Sequence, residues 1–199
     1  QPHIKIATNG LLWTAKQLDE LKVYQGKLTL NISLHTIKEK TAQSIHGLQI
    51  NYEPYKKLFL MLKERQIEFR INTTVLRTIN DSEEDYLAIL DFLLRYDVCK
   101  INFQELLVSK KQLELFPYYL GAPQIEHTLL NALSTYYTVE PLERSVKKNR
   151  FLVQNDSKRI EVSIFRLSCR SGCSNCLKEG DLIIGADGKG HPCYLEPEL

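Results

Sequence analysis

The sequence lacks most of the features that mark a specialised polymer. Glycine (9) and proline (7) are sparse in 199 residues, and the 43% hydrophobic and 25% charged content is ordinary for a folded protein. A disordered tail, a collagen and a low-complexity chain are thereby excluded. It lacks a charge excess: 26 Lys+Arg face 24 Asp+Glu, a net of +2. That gives no electrostatic footprint for nucleic acid or an anionic membrane surface. It also lacks long apolar runs. Its apolar runs, Phe59 to Leu62 and Ala88 to Leu90 among them, fall far short of the roughly 20 residues that span a bilayer. Ile4 to Thr8 is too short for the apolar core of a secretory signal, so a cytoplasmic location is expected. The chain opens on Gln1 instead of Met, and the expectation is that a functionally decisive segment lies upstream.

Five cysteines are present, and four crowd into the last 31 residues: Cys169, Cys173, Cys176 and Cys193. An odd total and no secretory signal argue against a disulfide framework. The spacing C-x3-C-x2-C…C suits a metal, because a C-x2-C pair turns two thiolates onto one centre and a remote ligand closes it. Structural zinc, an iron–sulfur cluster and inert or disulfide-bonded thiols all remain open at this point. Cys99 stands alone and reads as a buried strand thiol.

Strand-then-helix units fill the first two-thirds of the chain. Ile4 to Thr8 reads as a strand stopped by the turn dipeptide Asn9-Gly10, and Thr14 to Leu21 as a helix. Lys27 to Leu34 alternates apolar and polar residues, the period of a strand. Glu39 to Ile45 is weakly helical before Gly47. Tyr52 to Gln66 repeats apolar residues at three- and four-residue steps, the pattern of an amphipathic helix. Phe69 to Leu76 and Cys99 to Leu106 read as strands. Between them Asn80-Asp81-Ser82 offers an N-cap to a helix ending near Tyr96. Such alternation implies βαβ units and a parallel sheet. Four parallel strands alone leave two open edges, although parallel sheets are normally covered, so neighbouring strands are expected from outside. After Leu107 the pattern changes. A charged connection leads to a helix over Gln124 to Tyr136. Two antiparallel strands follow, Arg150 to Val153 and Ile160 to Leu167. Beyond the first cysteines come a short strand, Leu182 to Ile184, and a turn at Asp187-Gly188-Lys189. The fold class expected is α/β: a partial parallel (β/α) TIM-like barrel over residues 1–108, then a helical connection and a small cysteine-rich β module over 109–199.

Five segments, in order, resemble the radical S-adenosylmethionine (SAM) family. They are IATNG (Ile6 to Gly10), LNISLH (Leu30 to His35), RINTTVLRTIND (Arg70 to Asp81), INFQEL (Ile101 to Leu106) and the C-terminal CSNCLKEGDLIIGADGKGHPC. The last is similar to the auxiliary-cluster module of the GTP 3′,8-cyclases of molybdenum-cofactor synthesis and of peptide-modifying radical SAM enzymes. The resemblance implies that SAM is the cofactor, cleaved reductively at a [4Fe–4S] cluster. It implies hydrogen abstraction from a peptide or small-molecule substrate and a reductase or flavodoxin-type electron donor. Thr8, Asn9 and Ser33 would contact SAM. Arg70 and Asn72 would approach SAM or an anionic substrate group, Arg70 standing where the family often has Lys. Cys173, Cys176 and Cys193, with or without Cys169, would hold an auxiliary cluster.

The sequence also departs from the family. The C-x3-C-x2-C that binds the catalytic cluster, and the G-G-E-P segment after the next strand, do not precede Ile4. The expectation is that about two βα units of a parent enzyme lie outside this chain, and that these residues alone do not cleave SAM. Cys169-x3-Cys173-x2-Cys176 mimics the catalytic spacing, but it follows the barrel strands and has Asn175 where the family has an aromatic. The cyclase's Gly-Arg-Arg tail is absent, which favours peptide modification. Each residue also has a plainer reading. Thr8 and Asn9 could cap a helix, Ser33 could bond to backbone, and Arg70 could be a surface cation on an edge strand. Glu105 could pair with a lysine, and Arg77 could be solvated. Trp13, Tyr118, Tyr119, His35, His46 and His191 could serve packing or turns. A competing class is a non-catalytic binding protein with a zinc-stapled tail.

Overall fold

The computed structural model describes residues 3–47, 49–108, 112–145, 147–155, 157–166, 183–184 and 188–191. The four C-terminal cysteines lie outside them. The elements in chain order are β1 (Ile4–Thr8), α1 (Ala15–Leu21), β2 (Leu28–Ser33), α2 (Glu39–His46), α3 (Glu53–Glu64), β3 (Glu68–Thr74), α4 (Glu83–Arg95), β4 (Lys100–Gln104), α5 (Ala122–Ser134), β5 (Thr138–Arg144), β6 (Lys148–Gln154), β7 (Arg159–Phe165), β8 (Ile183–Ile184) and β9 (Gly190–His191).

Seven strands form one open sheet in the order β1-β2-β3-β4-β7-β6-β5. β1 to β4 and then β7 are mutually parallel, and β6 and β5 return antiparallel. β8 and β9 make a separate two-residue ladder. The four βα strands therefore stand in sequence order, as the alternation implies. One expectation fails: the edge of β4 is covered from within the chain, by β7. The sheet thus runs across residue 108. β5 has no counterpart in the sequence reading. It is an edge strand that carries Pro141, with a register shift between Pro141 and Glu143. Proline is tolerated there because an edge strand leaves N–H groups unpaired.

Local chemistry sets the helix ends. Thr14 caps α1 and Ser82 caps α4, each in a reciprocal capping box, with Gln17 and Asp85 as the returning partners. Each box satisfies two amide donors that a helix start leaves orphaned. Gly47 closes α2 in the left-handed region, where glycine has no Cβ to clash. α5 begins at Ala122 with Pro123 in its first turn, two residues before the sequence reading starts it, because proline is pre-set for that position.

One core joins the sheet to the helices. Leu28, Leu30, Ile32, Ile71, Ile101, Phe103, Val162 and Ile164 meet Leu18, Leu58, Phe59, Leu62, Leu90, Leu93, Ile125 and Leu129 in a single buried cluster. Strand side chains alternate between faces, so these alternate positions define a helix-covered face. Cys99 has the same parity, yet it is exposed. It precedes β4, just past the turn that ends α4 at Tyr96 and Asp97, where no helix remains to cover it. This overturns the buried-thiol reading. Among the described residues, no helix is long and apolar enough to cross a membrane.

Candidate functional site

The opposite face of the sheet is polar from strand to strand. Asn31, Ser33, Arg70, Asn72, Thr74, Asn102, Gln104 and Ser163 occupy the positions between the core residues. They bond across neighbouring strands: Arg70 Nε donates to Asn31 Oδ1 at 2.7 Å, Asn102 Nδ2 to Asn72 Oδ1 at 2.8 Å, and Gln104 Nε2 to Thr74 Oγ1 at 3.2 Å. Ser33 stands in register with Asn72, and Asn72 with Asn102. A row of amides and hydroxyls on parallel strands costs desolvation that apolar residues would avoid. Such a face is suited to meet a polar ligand or water.

Charge on this face is nearly all internally matched. Lys100 Nζ lies 2.7 Å from Glu68, and Arg150 bridges Glu161 at 2.8 Å and Glu143 at 3.0 Å. Hydrogen bonds from Lys100 hold the Glu68 carboxyl below its ordinary range, and those from Arg150 do the same for Glu161. Bonds to Glu161 and then Glu143 raise Arg150 further. Arg70 differs. It is half-buried, burial pulls its guanidinium below the usual arginine value, and Glu68 and Glu161 oppose that pull only from a distance. Among the described residues it makes no ion pair within 4 Å. Its Nε is held by Asn31, so the fork at its end is a positioned cation. β3 has a strand on each side, which removes the edge-strand reading of Arg70.

Thr8 has the parity of the helix-covered face, since it registers with Ile32. Its hydroxyl accepts from Gly10 N–H at 3.1 Å and from Trp13 Nε1–H at 3.1 Å. Asn9 is exposed, and its side chain accepts from Leu11 N–H at 3.2 Å, a local turn and not a helix cap. Thr8, Asn9, Leu12, Trp13 and Gln17 line an open depression at the end of β1. The structure thus gathers Ser33, Arg70 and Asn72 on one face and sets Thr8 and Asn9 beyond the end of β1. Cys169, Cys173, Cys176 and Cys193 fall outside the described residues.

Buried bonds shape the rim at the carboxyl ends of the strands. Asn80 Nδ2 donates to the His35 and Thr74 carbonyls at 2.8 and 3.0 Å, and its Oδ1 accepts from Leu76 N–H at 2.7 Å. Glu105 is buried at the end of β4 and accepts from Ala122 N–H at 2.6 Å and Tyr119 O–H at 3.2 Å. It anchors the start of α5, where the helix dipole favours a carboxylate. Tyr119 stacks on Phe116, with ring centroids 6.0 Å apart. His35 accepts from Thr74 N–H through Nδ1 at 3.1 Å and stacks on His46. Burial, then His46, lowers it from 6.5 to about 4. Sequence reasoning missed Asn31, Asn102, Gln104 and the position of His35. The available signal was a polar residue at every second place in strands otherwise rich in Ile, Leu and Phe.

No protein-family profile matches this sequence, and no curated protein matches it. Solved structures do. SuiB of Streptococcus suis, solved with SAM bound, aligns at a TM-score of 0.52 and 17% identity over 66% of this chain and 30% of its own. SuiB bound to its precursor peptide SuiA aligns at 0.53 and 17%, over 66% of this chain and 29% of its own. A radical SAM methyltransferase from Sphaerobacter thermophilus aligns at 0.50 and 18%, over 66% and 37%. The chain has the fold of radical SAM enzymes. The matched part spans about a third of the length of those proteins.

Proposed function

We propose that this chain forms the SAM- and substrate-facing part of a radical SAM enzyme that modifies a peptide. The polar face carries the reading: a row of amides, hydroxyls and one guanidinium with no ion pair among the described residues, on a sheet that shares its fold with a protein solved with SAM. The donor set fits SAM. Ser33, Asn72 and Asn102 offer donors and acceptors for hydroxyl and amino groups, and Arg70 offers a fork for a carboxylate. When bound at an iron–sulfur cluster, SAM supplies reductive cleavage and hydrogen-atom abstraction. The protein's residues position: Asn31 fixes the Arg70 fork, Asn102 orients the Asn72 amide, and Asn80 ties the rim together. Thr8 and Asn9 are assigned to the SAM-facing edge beside β1. In the described residues that edge is unpaired, and further parallel strands of the barrel would dock there.

The cysteines extend the proposal. Four thiols spaced C-x3-C-x2-C…C suit an auxiliary [4Fe–4S] cluster or zinc, and Cys169, Cys173, Cys176 and Cys193 are the ligands proposed. A reductase or flavodoxin-type protein would supply electrons. A peptide substrate is favoured over small-molecule cyclisation because a protein of this fold was solved bound to a precursor peptide.

Anaerobic reconstitution with iron and sulfide, followed by metal analysis and SAM titration, tests the reading. The expected result is bound iron with charge-transfer absorption and SAM binding that weakens about tenfold in Arg70→Ala, the cost of losing a hydrogen bond to a charged group. Zinc in place of iron, with no SAM binding by the folded protein, would establish the zinc-stapled binding protein instead.

A further inference from the structure

His35 lies two residues past the end of β2, at the carboxyl end of the sheet, where its ring meets Thr74 and His46. Its Nδ1 lies 3.1 Å from the Thr74 amide nitrogen. An amide N–H can only donate, so Nδ1 holds a lone pair and the neutral ring carries its proton on Nε2. The stack on His46, with centroids 5.8 Å apart, fixes the ring plane. No described side chain or carbonyl accepts from Nε2. It is also absent from the buried polar atoms without partners, which are the hydroxyls of Tyr52 and Tyr86. The ring therefore offers an oriented Nε2–H donor with no partner among the described residues. The face below it has neutralised its own carboxylates, through Lys100 with Glu68 and Arg150 with Glu161 and Glu143. Arg70 leaves it with a surplus positive charge, so an anion is the complementary partner.

We propose that His35 is a ligand-binding residue that donates Nε2–H to a carboxylate oxygen of the bound molecule. The inference rests on the function proposed above only for where that molecule lies. The carboxylate could belong to SAM or to an acidic substrate, and the two are distinguished by probe. His35→Asn keeps an acceptor where Nδ1 stands and removes the distal donor, and His35→Gln does the reverse. Long-range 1H–15N NMR reads the tautomer in the full chain, and titration calorimetry reads SAM binding.

The expected result is an Nε2–H tautomer whose Nε2 signal moves on adding SAM. His35→Asn should bind SAM about tenfold more weakly with an unchanged urea midpoint at neutral pH, and His35→Gln should recover much of the loss. Equal SAM binding by His35→Asn and wild type would overturn the proposal, as would an Nδ1–H tautomer. If wild type binds no SAM, the SAM reading falls and acetate decides. A shift of His35 Nε2 with acetate sustains a carboxylate site, and no shift with either probe overturns it.

Discussion

Replacing His35 with asparagine should flatten the acid limb of this protein's stability profile. The ring is mostly enclosed, and burial, reinforced by the neighbouring His46, lowers it from 6.5 to about 4. In the unfolded chain the same histidine takes up a proton near its ordinary value. Between the two values the unfolded state binds one more proton than the native state, so stability falls as pH falls. The contribution is complete above about pH 6.5 and is lost as pH approaches about 4. One pH unit across that window is worth about 1.4 kcal/mol, so the window is worth about 3 kcal/mol. The native ring resists protonation for a structural reason: a proton on Nδ1 would face the Thr74 N–H 3.1 Å away and break the only bond that nitrogen makes.

Urea unfolding of wild type and His35→Asn at about pH 7 and about pH 4.5 measures this directly. Glu68 and Glu161 are held low by their cations and also lose stability on acidification, but they do so equally in both proteins. The stability difference between the two should therefore move by roughly 2–3 kcal/mol in favour of the variant as pH falls. A difference that stays constant across the range would refute the assignment of a neutral, Thr74-bonded His35.

Other perturbations probe the frame of the site. Gly10 has a φ of +78°, and a Cβ there would meet Ile32 Cγ2 at 3.0 Å and Leu58 Cδ2 at 3.1 Å. Gly10→Ala should thus cost about 2–3 kcal/mol in denaturant unfolding, and a neutral result would show that the loop after β1 can shift. Asn80→Ala removes three bonds that join the ends of β2 and β3 to the following loop. It should cost about 2–4 kcal/mol and speed amide exchange at Leu76, and exchange at the wild-type rate would count against the role. Glu105→Gln retains an acceptor for Ala122 N–H and should cost about 1 kcal/mol through the lost charge at the α5 start. Glu105→Ala orphans that buried amide and should cost about 3 kcal/mol. Equal losses in the two variants would mean that the bond is not what anchors α5.

The order of the sheet was legible because its signals are local. A period of two in Lys27 to Leu34, an N-cap at Ser82 and a glycine at position 47 each act within a few residues. β5 was not legible, since its alternation is weak, it carries proline and its register breaks at that point. Only its pairing with β6 makes it a strand, and such long-range pairing leaves little trace in single-sequence propensities. The capture of the β4 edge by β7 was hidden for the same reason: nothing near Lys100 or Arg159 specifies a partner some sixty residues away.

The site was half legible, and the division follows from geometry. Ser33, Arg70 and Asn72 lie inside strands, where parity places them, and they fall on one face. Thr8 sits at a strand end and Asn9 in the turn, where parity no longer governs. Their side chains turn to Gly10, Trp13 and Leu11 instead. Taken seriously, parity alone would also have found Asn31, Asn102 and Gln104. A strand buried on both faces reads as a continuous apolar run, so a polar residue at every second position means that one face meets a ligand or water. In these strands the polar residues also bond to one another across the ladder, which holds their orientation before any ligand arrives. Arg70 is the exception, with Nε committed to Asn31 and its fork without a carboxylate partner among the described residues. Arg150 on the same face is matched by two carboxylates. The mismatch at Arg70 is therefore the feature on which the proposed binding function turns.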